Sequence, residues 1–214
     1  MCLGLLAFGL LPQPGRAQQA AGFTAGSLVL NRNLSERVQG LLKLKSGAEL
    51  VLKNDGEPKL TFTPYEVRSF QIGAQRYTTA SNFRVMAGLG ALEVDRAFVQ
   101  QLDSGAVVLT RYDFGVNNPT SFHADGSMSG GGSWALSAFL LSGGATPGIT
   151  VAQTSPYSSG GRGFRDAVRP YFAGRPDLQR MLDTKRINAN NLAAAVRAFN
   201  TNSPFSPNAA LGSK

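Results

Sequence analysis

The single histidine, His123, stands between Phe122 and Ala124, with Asp113 and Asp125 nearby and Ser127 and Ser129 downstream. These are the residue types of a hydrolytic triad. The serines lie in Gly126-Ser127-Met128-Ser129-Gly130-Gly131-Gly132-Ser133, a run too glycine-rich to hold a nucleophile rigidly, and no Gly-x-Ser-x-Gly elbow presents one. His123 therefore reads as a structural histidine at a strand end. Paired carboxylates for glycoside hydrolysis would come from Glu66, Glu93, Asp95, Asp103 and Asp113, residues that fit solvated strand faces equally well. Catalytic zinc needs three protein ligands, and one imidazole does not supply them. Asn54-Asp55-Gly56-Glu57 offers oxygens without the alternating spacing of a calcium loop and reads as a hairpin turn. Gly160-Gly161-Arg162-Gly163 precedes Phe164 as a phosphate cradle might, but without a preceding strand or a Gly-Lys-Ser/Thr ending it reads as a linker. No cofactor, metal or catalytic residue is implied.

Charge has a direction. The chain of 214 residues carries a formal net charge of +8, and the excess is local: residues 162 to 197 hold eight basic against three acidic residues. Arg162, Arg165, Arg169, Arg175, Arg180, Lys185 and Arg186, with Arg197 beyond them, form the candidate surface for an anionic lipid headgroup, an acidic glycan or an acidic protein. The competing reading is that these cations solvate short helices. Nucleic acid suits the basic balance, yet no recognised binding motif is present.

The N-terminus bears on compartment. Cys2 to Leu11 is apolar and broken only by glycine, and Gly15-Arg16-Ala17 puts small residues at the positions that precede a signal cleavage before Gln18. Residues 1–17 are expected to be a secretory signal, although no basic residue precedes the apolar run. Ten residues are too few to cross ~30 Å of hydrocarbon, which takes about 20. Cleavage there removes Cys2, the one cysteine, and with it any disulfide or thiolate chemistry.

These side chains must be positioned by the elements that follow. From Ser27 to about Val151 the pattern is that of strands. Leu28-Val29-Leu30 is a first strand, and Val38, Gly40, Leu42 and Leu44 alternate with more polar neighbours. Ser46-Gly47-Ala48 and Asn54-Asp55-Gly56 are turns on either side of Glu49 to Lys53, and Lys59 to Thr63 completes a meander. Thr63 is placed to cap a turn at Pro64. Further strands are expected at Val67 to Ile72, Gln75 to Ala80, Arg84 to Met86 and Glu93 to Leu102. Phe98 to Tyr112 forms a hairpin turning at Asp103-Ser104-Gly105. Residues Asn117 to Ser133 read as a flexible surface loop in a hairpin that Trp134 to Leu141 closes as a further strand, and Ser142 to Gly163 as a second loose stretch. Beyond it the period becomes helical. Phe164, Val168 and Tyr171 share a face that Pro170 cuts short, Pro176 and Asp177 open a helix carrying Leu178, Met181 and Leu182, and Asn188 or Asn190 caps a helix striped by Leu192, Ala195, Val196 and Phe199.

Several of these pieces, in order, carry a resemblance. They are Ser27 to Leu30 with Gly40 to Leu44; Thr63 to Phe70 with Gly73 and Tyr77; Phe98 to Leu102 with Gly105 and Leu109; and Tyr171-Phe172, Pro176, Leu178 and Phe199-Asn200. Together the chain resembles a group of exported cell-envelope proteins of Bacteroidota-type bacteria. In that group a β-rich module precedes a short helical segment ending near Tyr-Asn, sometimes ahead of an outer-membrane barrel. Phe199 stands where the pattern has Tyr, and the glycine-rich run at Gly126 to Ser133 is an insertion. The resemblance brings no agreed activity.

The expectation is a mainly β, antiparallel fold, a sandwich or partly open barrel, with a short C-terminal α-helical segment. It is divided as a signal at 1–17, an antiparallel β domain at 18–152, a Gly/Ser-rich linker at 153–163, a basic helical segment at 164–200 and a tail at 201–214. The expected role is an exported binding or structural module, periplasmic, outer-membrane associated or extracellular. The rival is a hydrolase of an envelope polymer, and a nucleic-acid binder follows only if the signal reading fails.

Overall fold

The computed structural model describes residues 22–87, 90–122, 128–144, 146–153 and 160–207, with backbone alone for 116–122, 128–134 and 153. The expected signal at 1–17, His123, Asp125 and Ser127 lie outside the described residues. Ten strands form a single antiparallel sheet in the order β10-β9-β8-β7-β6-β5-β1-β2-β3-β4. β1 (Thr24–Leu30), β2 (Asn33–Ser46), β3 (Glu49–Lys53) and β4 (Leu60–Phe62) run as a meander. The chain then returns so that β5 (Val67–Ile72) pairs with the free side of β1. From there β6 (Gln75–Ala87), β7 (Gly90–Asp103), β8 (Val107–Phe122), β9 (Met128–Gly143) and β10 (Thr146–Gln153) follow as successive hairpins.

Period-two alternation assigns the two faces of this sheet to different cores. Residues directly opposite in a pair share a face, so Leu28, Leu42, Leu50, Leu52 and Phe70 lie on one face, which Phe98 of β7 also joins. The neighbouring residues of β7, Ala97 and Val99, point the other way. They join Ala80, Phe83 and Val85 of β6, Tyr112 and Phe114 of β8, and Ala138 and Leu140 of β9 in a second core. β7 is therefore buried on both sides and serves both.

The sheet is open, with β10 and β4 at its edges, and the β2–β3 turn folds back onto β7 beside the first core. The Phe98 N–H donates to the Gly47 carbonyl at 2.7 Å, where β8 has separated from β7 after pairing at Gln100 to Asp103. A Cβ on Gly47 would sit 2.6 Å from the Tyr112 ring, so only glycine lets the turn approach this closely.

The helical segment covers the outer face of β8 to β10. α1 (Arg162–Val168), a 3-10 turn at Arg169–Phe172, α2 (Pro176–Asp183) and α3 (Leu192–Asn200) bury Phe164, Val168, Phe172, Leu178, Leu182, Leu192 and Val196 against Val107, Leu109 and Leu141. Tyr171 locks this layer by donating its hydroxyl to the Leu141 carbonyl at 3.0 Å, with Thr150 Oγ1 2.8 Å away. Among the described residues no helix is long and apolar enough to cross a membrane.

Four local expectations are corrected. Asn117 to Phe122 and Met128 to Ser133 are paired strand, extending the β8–β9 hairpin, because the ladder satisfies backbone groups even where side chains offer little to bury. β10 occupies Thr146–Gln153 within the stretch read as loose, with Gly148 at φ +76 taking up a register shift. Gln75 to Ala80 and Arg84 to Met86 are one strand, β6. At α3 the capping position belongs not to the expected Asn188 or Asn190 but to Asn191. Its Oδ1 accepts from the Asn188 N–H at 2.9 Å and its Nδ2 donates to the Arg186 carbonyl at 2.9 Å.

Candidate functional site

The basic residues of the helical segment fall into two groups once their partners are known. Arg175 is the most committed. Its Nε and Nη2 grip Asp177 at 2.9 and 2.8 Å, while Nη1 and Nη2 donate to the Ala198 and Ser203 carbonyls at 3.1 and 3.0 Å. It thereby ties the last turn of α3 to the segment beyond it, where the Ser203 N–H also donates to the Ala198 carbonyl at 2.9 Å. The same fork pulls the Asp177 carboxyl down to about 2. Arg169 clasps Asp183 with both terminal nitrogens. Arg165 donates to the Gly160 carbonyl at 2.7 Å, and Arg162 lies 3.6 Å from Asp166 with both side chains exposed. Arg197 reaches across to Asp103 of β7 at 3.0 Å.

Arg180, Lys185 and Arg186 remain. All three are exposed, and none has an acidic partner among the described residues. They sit together where α2 ends. The Arg186 N–H donates to the Met181 carbonyl at 2.8 Å and the Lys185 N–H to the Leu182 carbonyl at 3.1 Å, the paired bonds of a Schellman stop. That motif puts its key residue in the left-handed region, usually glycine. Here Lys185 holds it, at φ +60. A charged side chain thus occupies a position that costs about 1 kcal/mol relative to glycine, while its charge complements the dipole at the helix C-terminus.

The carboxylates weighed for catalysis do not converge, and each is occupied. Glu66 accepts from the Thr63 N–H and hydroxyl at 2.8 Å, bonds that hold its carboxyl below the usual range and reverse the expected direction of capping. Glu93 pairs with Arg84 at 3.2 Å. Asp95 accepts from the Tyr65 hydroxyl, over whose ring Arg96 lies at 4.9 Å. Asp113 takes Arg111 and the Ser137 hydroxyl. Asp103 takes Arg197 and Asn200. Asn54 Nδ2 donates to Glu57 at 3.1 Å across the turn read from Asn54 to Glu57. Among the described residues no group of His, Cys, Asp and Glu could hold a metal ion.

Spacing along the chain did not reveal two features. Asn200 holds the helical segment to the β7–β8 turn, donating to Asp103 and to the Val107 carbonyl and accepting from the Val107 N–H. Arg37 and Arg76, distant in sequence, flank a cleft of about 280 Å³ on the β sheet. The cue to the first was glycine at 105, where a Cβ would lie 2.6 Å from Asn200. No sequence cue marks the second, because it needs the strand order. No known protein family, curated protein or solved structure matches the chain.

Proposed function

We propose that the chain is a non-catalytic binding or structural module of the bacterial envelope, exported and engaging an anionic surface through the exposed end of α2. The observation that carries this reading is the cluster of Arg180, Lys185 and Arg186, free of acidic partners among the described residues. One of the three occupies a left-handed position where glycine would fold more easily. Export is supported by the apolar run Cys2 to Leu11 and by Gly15-Arg16-Ala17 ahead of Gln18. The hydrolase reading has less support, since the five candidate carboxylates are engaged in separate places by partners that stabilise turns, strands and the helix contact.

A cation near an anionic membrane surface contributes about 1 kcal/mol. Replacing Arg180, Lys185 and Arg186 together by glutamine should therefore weaken sedimentation with phosphatidylglycerol vesicles on the order of a hundredfold at low salt. Phosphatidylcholine vesicles should bind neither protein, and added salt should abolish the difference. Equal binding of the wild type and the triple variant to phosphatidylglycerol would overturn the assignment of the α2 end.

A further inference from the structure

The geometry points to a second, discrete site on the β module: a cleft built to take a phosphate or sulfate ester carried on a hydroxyl-rich body. Four neighbouring strands, β2, β1, β5 and β6, form it. Arg37 lies opposite Val29, which lies opposite Ser69. In the adjoining row Ser27 lies opposite Gln71, which lies opposite Arg76. Opposed residues share a face, so all six project from the face that turns away from the Leu28 and Phe70 core. β2 and β6 are three strand spacings apart, about 14 Å. The two arginines therefore stand on opposite banks of a trough whose floor is low because Ser27, Val29 and Ser69 are small.

Three properties distinguish this trough from an ordinary solvated sheet face. It encloses about 280 Å³, and no carboxylate contributes to its lining. Ser27, on its floor, is only 7% exposed, and its hydroxyl accepts from Arg37 Nη1 at 3.3 Å, which turns the guanidinium inward over the floor. Neither Arg37 nor Arg76 has an acidic partner among the described residues. Two like charges aimed into one cleft repel until an anion joins them. Guanidinium forks match the paired oxygens of phosphate or sulfate. The polar groups beside them, Ser69, Gln71 and Gln101, suit hydroxyls better than an apolar tail. This site is independent of the α2 cluster, which belongs to another layer of the molecule.

The test titrates the wild-type chain with glucose phosphate, glucose sulfate and glucose while the Arg Nε–H resonances are followed by NMR. One or both esters should move the Arg37 and Arg76 resonances and bind at least on the order of tenfold more tightly than glucose. Which ester does so identifies the source of the anion. Arg37→Gln with Arg76→Gln, both exposed positions, should keep the melting temperature and lose that tenfold preference. The triple variant at 180, 185 and 186 should retain it, so failure here and failure of the vesicle assay are distinguishable. Unmoved arginine resonances with both esters, or an unchanged preference in the double variant, would overturn the site.

Discussion

Truncating Asn200 to alanine tests whether the helical segment and the sheet are one cooperative unit. The Asn200 amide donates to Asp103 Oδ1 at 2.8 Å and to the Val107 carbonyl at 2.8 Å, and accepts from the Val107 N–H at 2.9 Å. Val107 is fully buried, so water cannot replace the lost partner on its backbone groups. Two orphaned buried groups at about 1.5 kcal/mol each, with about 1 kcal/mol more for the bond to the Asp103 carboxylate, put the cost of Asn200→Ala near 4 kcal/mol. For a chain of this size that lowers the melting temperature by on the order of 10 °C. Urea denaturation followed by circular dichroism and by tyrosine fluorescence measures it, and both signals should move together in a single transition. Arg197→Ala is the comparison: its side chain is 65% exposed although Asp103 is only 10% exposed, and Asp103 keeps its bond from Asn200, so the loss should stay below about 2 kcal/mol and well short of that of Asn200→Ala. A cost under about 1 kcal/mol for Asn200→Ala, or separate transitions in the wild type, would refute the claim that this amide joins the two layers.

Two further outcomes follow from the α2 region. Lys185→Gly relieves a left-handed lysine at φ +60 and should raise stability by about 1 kcal/mol in urea unfolding, while weakening binding to phosphatidylglycerol vesicles; a destabilised variant would show that the charge at the helix end outweighs the backbone strain. Asp177 is held at about 2 against an ordinary 3.8 by its bonds from Arg175. Because the folded value is depressed, its contribution is complete above the unfolded value and is lost as pH falls through the folded one. The stability gap between wild type and Asp177→Asn should thus be constant down to about pH 5 and close towards about pH 2; a gap unchanged at the acid end would exclude the Arg175 pair as its source.

Much of the fold was legible because strand alternation and turn chemistry are local. The meander from Leu28 to Phe62, the turn at Asp103 to Gly105 and the helical stripe of Leu192, Ala195, Val196 and Phe199 can all be read from a few consecutive residues. Pro176 and Asp177 opened α2 as their chemistry requires. The glycine-rich arm from Met128 to Ser133 was misread because low apolar content argues against burial, whereas a hairpin ladder needs only backbone groups in register.

The candidate surface divided along the same line. Sequence alone determined that cations concentrate between Arg162 and Arg197, that one histidine and one cysteine leave few routes to metal or triad chemistry, and that strands precede helices. Tertiary structure alone decided which cations are available. Arg175 closes the end of α3 and Arg169 clasps Asp183, whereas Arg180, Lys185 and Arg186 face solvent. It alone brought Arg37 and Arg76 to opposite banks of one cleft, through the return of β5 to β1. The physical reason is range: propensity, alternation and capping act over a few residues, while the availability of a charge depends on partners that only long-range pairing of the chain puts beside it.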